Sequence, residues 1–187
     1  MLRGIVGLAV GAAALSGCAA KEAASTSLPA TTSKAAPTTP ALPPLGPPDF
    51  PVPAAARTKD AAGAEAFLRY YIELMNRQEF IPSGARLREF GPACQECLRI
   101  ARAFDKTAAA GEHYEGGRVT VNDVPPPRSV DNHIEISFSA RAEVEKRVDR
   151  TGKVLEEAPF DANVGSAMHL SWADDRKCWI VEALSIG

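Results

Sequence analysis

The hydrophobic period of this chain changes once, near Gly111, and that change limits the folds open to it. Before Gly111 apolar residues recur every three or four positions, which is typical of amphipathic helices. After it they alternate, which is typical of half-buried strands. Helices that precede antiparallel strands pack on one face of the resulting sheet. The sequence therefore predicts an α+β fold with three N-terminal helices on a curved, antiparallel, four-stranded sheet.

Three segments carry the helical pattern. The first has one apolar face, formed by Ala64, Phe67, Leu68, Tyr71, Ile72 and Met75. A short second helix is predicted over 86–90. A third begins near Pro92 and ends at Gly111, because proline is favoured in a first turn and glycine just after a last turn.

The alternating segments predict the strands. They cover 119–121, a long stretch over 134–144, a third strand that ends near Trp172, and a last strand from Trp179. Residues 149–152 (Asp-Arg-Thr-Gly) predict a hairpin turn. In the last strand Trp179, Val181 and Ala183 are expected to share one face.

Upstream of the helices the composition changes to proline, threonine and alanine. Residues 18–57 have no hydrophobic periodicity and almost no aromatic side chains. Such a segment buries too little apolar surface to offset its ordering entropy. We therefore predict that 18–57 is a disordered linker and that 58–187 is a single domain.

The N-terminus predicts export and lipid anchoring. Arg3 precedes a short apolar run over 4–14 that is too short to span a bilayer, which is typical of a signal peptide over 1–17. Leu15, Ser16, Gly17 and Cys18 then resemble the lipobox of bacterial lipoprotein precursors. The resemblance implies cleavage before Cys18, acylation of its thiol (with palmitate among the chains), and a location on the extracytoplasmic face of the cell membrane. An ordinary secretory signal with a chance cysteine is the alternative.

The order of helices and bent strands, closed by a Trp-Ile-Val strand, resembles the cone of nuclear transport factor 2-like (SnoaL-like) domains. The segment 63–71, with Cys94 and Cys97 further on, is also similar to a family of actinobacterial lipoproteins of unknown function. This similarity covers most of 48–187. It implies a location and a fold, and it carries no activity with it.

Three cysteines remain beside Cys18. In an exported protein a disulfide between Cys94 and Cys97 is the main expectation, because they lie three residues apart in one helical turn. A redox-active pair at a helix N-terminus is an alternative. So are a zinc site that adds Cys178 and one histidine, and a bond from Cys178 to one of the pair. Otherwise Cys178 is expected to be a buried free thiol.

No catalytic motif is recognisable, and we predict no catalytic residue, metal site or cofactor. Three carboxylates near strands are weak candidates for an interior acid: Asp123, Glu135 and Asp161. Five aromatic side chains from the helices and the sheet are candidates for lining a pocket: Phe67, Tyr71, Tyr114, Phe138 and Trp172.

Charge and anchoring together indicate the class of function. The net charge is −2 and no basic stripe is present, so nucleic acid is not an expected partner. We expect a non-catalytic module of the cell envelope that binds a small apolar ligand, a wall component or another envelope protein. A small isomerase or hydrolase of the cone type is the first alternative, and a thiol redox accessory protein that uses Cys94 and Cys97 is the second.

Overall fold

The computed structural model describes residues 42–77 and 82–187. The predicted signal peptide, the lipobox with Cys18, and the linker up to residue 41 lie outside the described residues and stay predictions. In the described part of the chain, no helix is long and apolar enough to cross a membrane.

The predicted order of helices before strands is confirmed. Three α-helices occur among the described residues, after a short 3-10 helix: α1 Ala61–Asn76, α2 Ala85–Phe90 and α3 Gln95–Ala110. Helix α1 begins where the Asp60 side chain accepts a hydrogen bond from the backbone N–H of Gly63, and α3 ends at Gly111 in the left-handed conformation. Both ends therefore follow local capping rules that the sequence displays.

Antiparallel strands form two sheets. The strands are β1 His113–Gly116, β2 Val119–Asp123, β3 Arg128–Val130, β4 His133–Ala142, β5 Glu145–Val148, β6 Val154–Ala158, β7 Asp161–Ala173 and β8 Cys178–Ile186. The larger sheet has the order β2-β4-β7-β8, with β3 also paired to β4. The smaller sheet has the order β1-β5-β6. The α+β class is confirmed, and the prediction of a single four-stranded sheet is wrong.

The second sheet arises because the predicted strand over 134–144 leaves the large sheet at its end. The break falls at Glu143 and Val144, after which β5 pairs with β1 and β6. The partner strand turns at the same place: the backbone N–H of Gly117 donates to the Val144 carbonyl at 2.9 Å, and Gly116 and Gly117 both have positive φ. A β-carbon on Gly116 would lie 2.3 Å from that carbonyl, so the bend requires glycine there.

The helices pack on one face of the large sheet and form the core with it. The largest fully buried side chains come from both layers and include Tyr71, Phe67, Phe90, Leu68, Ile136 and Met168. The small sheet is held differently, because charged residues of opposite sign face each other across it. Arg147 lies opposite Glu156, and Lys146 lies opposite Glu157.

The packed region begins earlier than predicted. Val52 and Ala56 are buried, and the Phe50 ring stacks on Tyr70 with 5.1 Å between ring centroids. The Arg57 guanidinium donates to the carbonyls of Arg176 and Lys177 beside the last strand. The predicted boundary at 57/58 is therefore wrong for 42–57. Isolated apolar residues among prolines pack one by one, and they leave no period to detect.

The last strand also departs from simple alternation. A register shift at Glu182 places Leu170 opposite Val181 but His169 opposite Ala183. Val181 and Leu184 are buried, and Ala183 is exposed. The prediction that Ala183 shares a face with Trp179 and Val181 is wrong, because the bulge moves every later side chain to the other face.

Candidate functional site

A cavity of about 370 Å³ lies where the helices meet both sheets. We call it the helix–sheet cavity. Its apolar wall combines residues of α1, α3, β1, β2 and β8: Met75, Ile100, Phe104, Tyr114, Val119 and Ile186. Its volume is at the small end of the range found for ligand sites, and its mixture of an apolar wall with a few polar groups is typical of such sites.

The aromatic part of the wall is held in place by two contacts. The rings of Phe104 and Tyr114 meet edge to face with 5.6 Å between their centroids. The Thr107 hydroxyl donates a hydrogen bond to the Tyr114 hydroxyl oxygen at 3.0 Å. Tyr114 therefore presents a positioned ring to the cavity from the first strand after the helices.

Asn76 joins the last turn of α1 to the start of β2 at the edge of the cavity. Its Nδ2 donates to the Val119 carbonyl, and its Oδ1 accepts from the Val119 N–H, both at 3.0 Å. Nδ2 also donates to the Glu73 carboxylate at 3.2 Å. These bonds engage the amide on both sides, so Asn76 supports the wall and is not a free polar group for a ligand.

Glu145, the first residue of β5, also lines the cavity. Its side chain makes no hydrogen bond or ion pair within the described ranges 42–77 and 82–187. Burial raises the pKa of this carboxyl above its ordinary value, and the negative charge of Glu156 raises the pKa further. A half-buried carboxylate that lines a cavity, has a raised pKa and has no partner among the described residues is a candidate functional group.

The two arginines of the cavity are already engaged. Arg147 donates to Glu112 through Nη1 and to Glu156 through Nε and Nη2, at 3.2 and 3.0 Å for the last two. Arg99 donates to the Glu96 carboxylate through Nε and Nη2, at 2.8 and 2.6 Å. Neither guanidinium is therefore a free partner for an anionic ligand.

The five predicted pocket residues do not form one pocket. Tyr114 lines the helix–sheet cavity. Phe67, Tyr71 and Phe138 are buried in the core between helices and sheet. Burial raises the pKa of the Tyr71 hydroxyl. Trp172 lies near the end of β7 and lines a different groove.

Trp172 and Trp179 line this second, more open groove of about 510 Å³. Their rings meet edge to face at 5.1 Å, and each indole N–H has a partner. Trp172 donates to Asp174 at 3.1 Å, and Trp179 donates to the Thr58 carbonyl at 3.0 Å. Most of the remaining lining is polar, and Ala61 and Ile134 are its apolar members. We place the candidate site in the helix–sheet cavity because it alone of the two has an unpaired, half-buried carboxylate among the described residues.

Cys94 and Cys97 form the expected disulfide, with 5.2 Å between their Cα atoms. Both residues are fully buried, so a partner thiol has no approach to the bond. Cys178 is a free, buried thiol, and burial raises its pKa to about 11. Over the described residues no three side chains of histidine, cysteine or acidic type are grouped to hold a metal ion, which disfavours the zinc alternative.

The three carboxylates suggested by the sequence lie outside the cavity. Asp123 and Asp161 are exposed, and Glu135 lies on the outer face of the sheet, 4.0 Å from His169. Sequence reasoning missed Glu145, because the run Glu-Lys-Arg-Val has no alternation that assigns a face. The available signal was the pair Gly116-Gly117, which marks a close backbone approach and a bend in a strand.

Comparison with known proteins adds distant structural likenesses. No family model matches the chain, and no curated protein matches it in sequence. The intermembrane space region of the chloroplast protein ARC6 is 14% identical, with a TM-score of 0.47 over 69% of this chain and 97% of that chain.

Two further structures are similar at lower scores. Aln2 from a Streptomyces species is 13% identical, with a TM-score of 0.40 over 65% of this chain and 89% of its own. A variant of Rd1NTF2_05 is 10% identical, with a TM-score of 0.41 over 68% and 100%. A nuclear transport factor 2-type protein is thus among the structures that this chain resembles. All three TM-scores lie below 0.5, and no inference about function rests on them.

Proposed function

We propose that this chain is a lipid-anchored binding module of the cell envelope, and that its helix–sheet cavity takes a small, largely apolar ligand. The observation that supports the binding role is the cavity itself. It joins a wall of aliphatic and aromatic side chains to a small set of polar groups, which is the usual composition of a ligand site. Anchoring rests on the lipobox at Cys18, and membership of an actinobacterial lipoprotein family with a cone domain rests on the sequence resemblance.

Anchoring is tested by replacing the acylated residue. We expect the full chain to partition into the membrane fraction and to incorporate labelled palmitate, whereas the variant Cys18→Ser does neither. Cys178→Ser is the matched control, because it also removes a free thiol but leaves the lipobox intact. Membrane association of the Cys18→Ser variant at the level of the parent chain would contradict a lipid anchor.

Ligand binding is tested on residues 19–187, which retain every buried core residue in the described part of the chain. We expect short amphipathic molecules to shift the NMR methyl signals of Ile100, Val119 and Ile186. The control signals are those of Ile72 and Val164, which do not line the cavity. If no short amphipathic molecule shifts the signals of the cavity residues, the proposed ligand-binding role is wrong.

An enzyme of the cone type is the second candidate, and Glu145 is the observation that favours it. Burial raises the pKa of this carboxyl above its ordinary value, and a carboxyl perturbed in this direction is a candidate for proton transfer. No second polar group is hydrogen-bonded to Glu145 within the described residues, which leaves binding as the first candidate. Turnover that Glu145→Gln abolishes without weakening ligand affinity would place the enzyme first.

A further inference from the structure

We propose that the helix–sheet cavity selects a cationic amphiphile: a ligand with a short apolar body and a protonated amine that pairs with Glu145. This inference rests on the proposed binding function and names the chemical class of its ligand. It is carried by a carboxylate of the cavity that has no partner among the described residues, and by the balance of charge around it.

Other polar groups of the cavity are already bonded. Asn76 is held by Val119, Arg147 by Glu112 and Glu156. Glu145 is left with its carboxylate oxygens unbonded by any described residue, while its stem is half-buried. A ligand gains a strong polar contact here only if it donates to a carboxylate.

The charged groups around Glu145 have a net negative charge. Arg147 is one cation that faces two carboxylates, Glu112 and Glu156. With Glu145 the group holds three carboxylates and one guanidinium, so its formal charge is −2 when all are ionised. The remaining pair, Glu96 with Arg99, is neutral as a unit. An anionic head group would meet like charge and an engaged arginine, whereas an ammonium group would meet its complement.

The partial burial of Glu145 has an energetic cost that a bound cation would reduce. A carboxylate that is partly removed from water without a partner is disfavoured in its charged form. Glu145 shows this in the direction of its pKa, and a bound ammonium group would restore the lost interaction. Selectivity then follows from the difference in binding free energy between ligands of different charge. A cation compensates the charge of the Glu145 carboxylate, a neutral alcohol only donates a hydrogen bond to it, and an anion adds electrostatic repulsion.

The apolar wall and the volume of the cavity determine the size and polarity of the rest of the ligand. Met75, Ile100, Phe104 and Ile186 offer carbon surface from three elements, and the cavity volume of about 370 Å³ limits the ligand to a small molecule. A short alkyl or aryl amine fits these limits. A long acyl chain exceeds them.

The test compares three probes of equal length: octylamine, 1-octanol and octanoate. Binding to residues 19–187 is measured at pH 7.5 by isothermal calorimetry below the micelle threshold of each probe, with the Ile100 and Ile186 methyl signals as the site readout. We expect octylammonium to bind at least about tenfold more tightly than octanoate, with octanol between them. In Glu145→Gln the preference for octylammonium over octanol should disappear.

Glu157→Gln is the matched control, because it removes the same charge from the same sheet outside the cavity, and the preference should persist. Octanoate binding as tightly as octylammonium, or all three probes binding equally, would overturn the cationic ligand while leaving a binding module in place. Binding of none of the probes would overturn both the inference and the proposed function. The comparison of probes on the parent chain decides the matter even if the variant fails to fold, which circular dichroism would show.

Discussion

A β-carbon on Gly117 would lie 2.7 Å from Oε2 of Glu145 and within 3 Å of two carbons of its side chain. The position of the carboxylate in the cavity therefore depends on a glycine in the turn between β1 and β2. Gly117 also has a φ of 80°, which glycine adopts without strain. One residue thus satisfies two requirements, the bend of the sheet and the space for Glu145.

A comparison of Gly117→Ala with a control glycine substitution should separate the cost of the positive φ from the cost of the contact with Glu145. We expect Gly117→Ala to lower the free energy of unfolding by more than the ~1 kcal/mol typical of alanine at positive φ, because Glu145 must also move. Gly152→Ala is the control, since Gly152 has a φ of 84° and a β-carbon added there would meet no atom within 4 Å. Urea unfolding measures both, and equal losses would mean that the contact with Glu145 contributes nothing.

Glu145→Gln should change how stability depends on pH. The folded state binds the Glu145 proton more tightly than the unfolded state, because the pKa is raised from 4.5. The free energy of unfolding of the parent chain therefore falls as pH rises from that value through the raised pKa. Glutamine cannot ionise, so we expect the variant to gain stability relative to the parent over this window and to keep that gain above it. Unfolding curves from pH 3 to 8 that are parallel for the variant and the parent would refute the assignment.

Asp105→Asn is the control of opposite sign. Hydrogen bonds from Arg88 and from the backbone N–H of Gly84 lower the pKa of Asp105. Its contribution is therefore present above the ordinary aspartate pKa and is lost as pH falls through the lowered one. We expect this variant to be less stable than the parent at neutral pH and to converge with it in acid, which the same unfolding series measures.

Asn76→Ala should loosen the junction between α1 and β2. It leaves the N–H and C=O of Val119 without their side-chain partner, and we expect a loss of about 1–3 kcal/mol in the free energy of unfolding. Asn122→Ala, an exposed change on the same strand, should alter it by less than about 0.5 kcal/mol. Comparable effects of the two changes in urea unfolding would show that the Asn76 bonds add little.

The Cys94–Cys97 bond should contribute modestly to the free energy of unfolding, because it closes a very short loop. The chain-entropy estimate for four residues is about 2 kcal/mol, and we expect that loss in the variant with both cysteines changed to alanine. Unfolding in the presence of a reductant should reproduce the loss in the parent chain and leave the variant unchanged. A parent chain indifferent to reductant would contradict the bond.

Local signals located the three helices, but α3 begins at Gln95 with Cys94 as its N-cap, so the prediction that it begins near Pro92 is wrong. The apolar spacing from Ala64 to Met75 lies within α1, and the hairpin turn over 149–152 joins β5 to β6 as predicted. The Asp149 carboxylate accepts hydrogen bonds from the N–H groups of Thr151 and Lys153, so the turn is determined by its own residues. Contacts between residues a few positions apart can be predicted from sequence, because the interacting side chains stand next to each other in it.

The candidate site could not be predicted from the sequence in the same way. Its five predicted aromatic residues do not lie together: three are buried in the core, Trp172 lines the second groove beside Trp179, and Tyr114 lines the helix–sheet cavity. Glu145 lines the cavity because the chain leaves the large sheet after β4 and enters the small sheet at β5. That transfer depends on the approach of Gly116 and Gly117 to Val144. The glycine pair marks a bend in the sequence, but it does not tell which distant residue the bend approaches.

By itself the sequence determined the order of helices and strands, the short-range disulfide and the tight hairpin, since each depends on side-chain period or on neighbours a few positions apart. It also carries the export and lipidation signal at Cys18, which remains a prediction. Tertiary structure alone decided that the strands divide into two sheets, that 42–57 pack on the domain, and that Glu145, which has no partner among the described residues, lines the helix–sheet cavity. Those outcomes depend on the free energy of contacts between residues far apart in the chain, and only the folded arrangement selects among them.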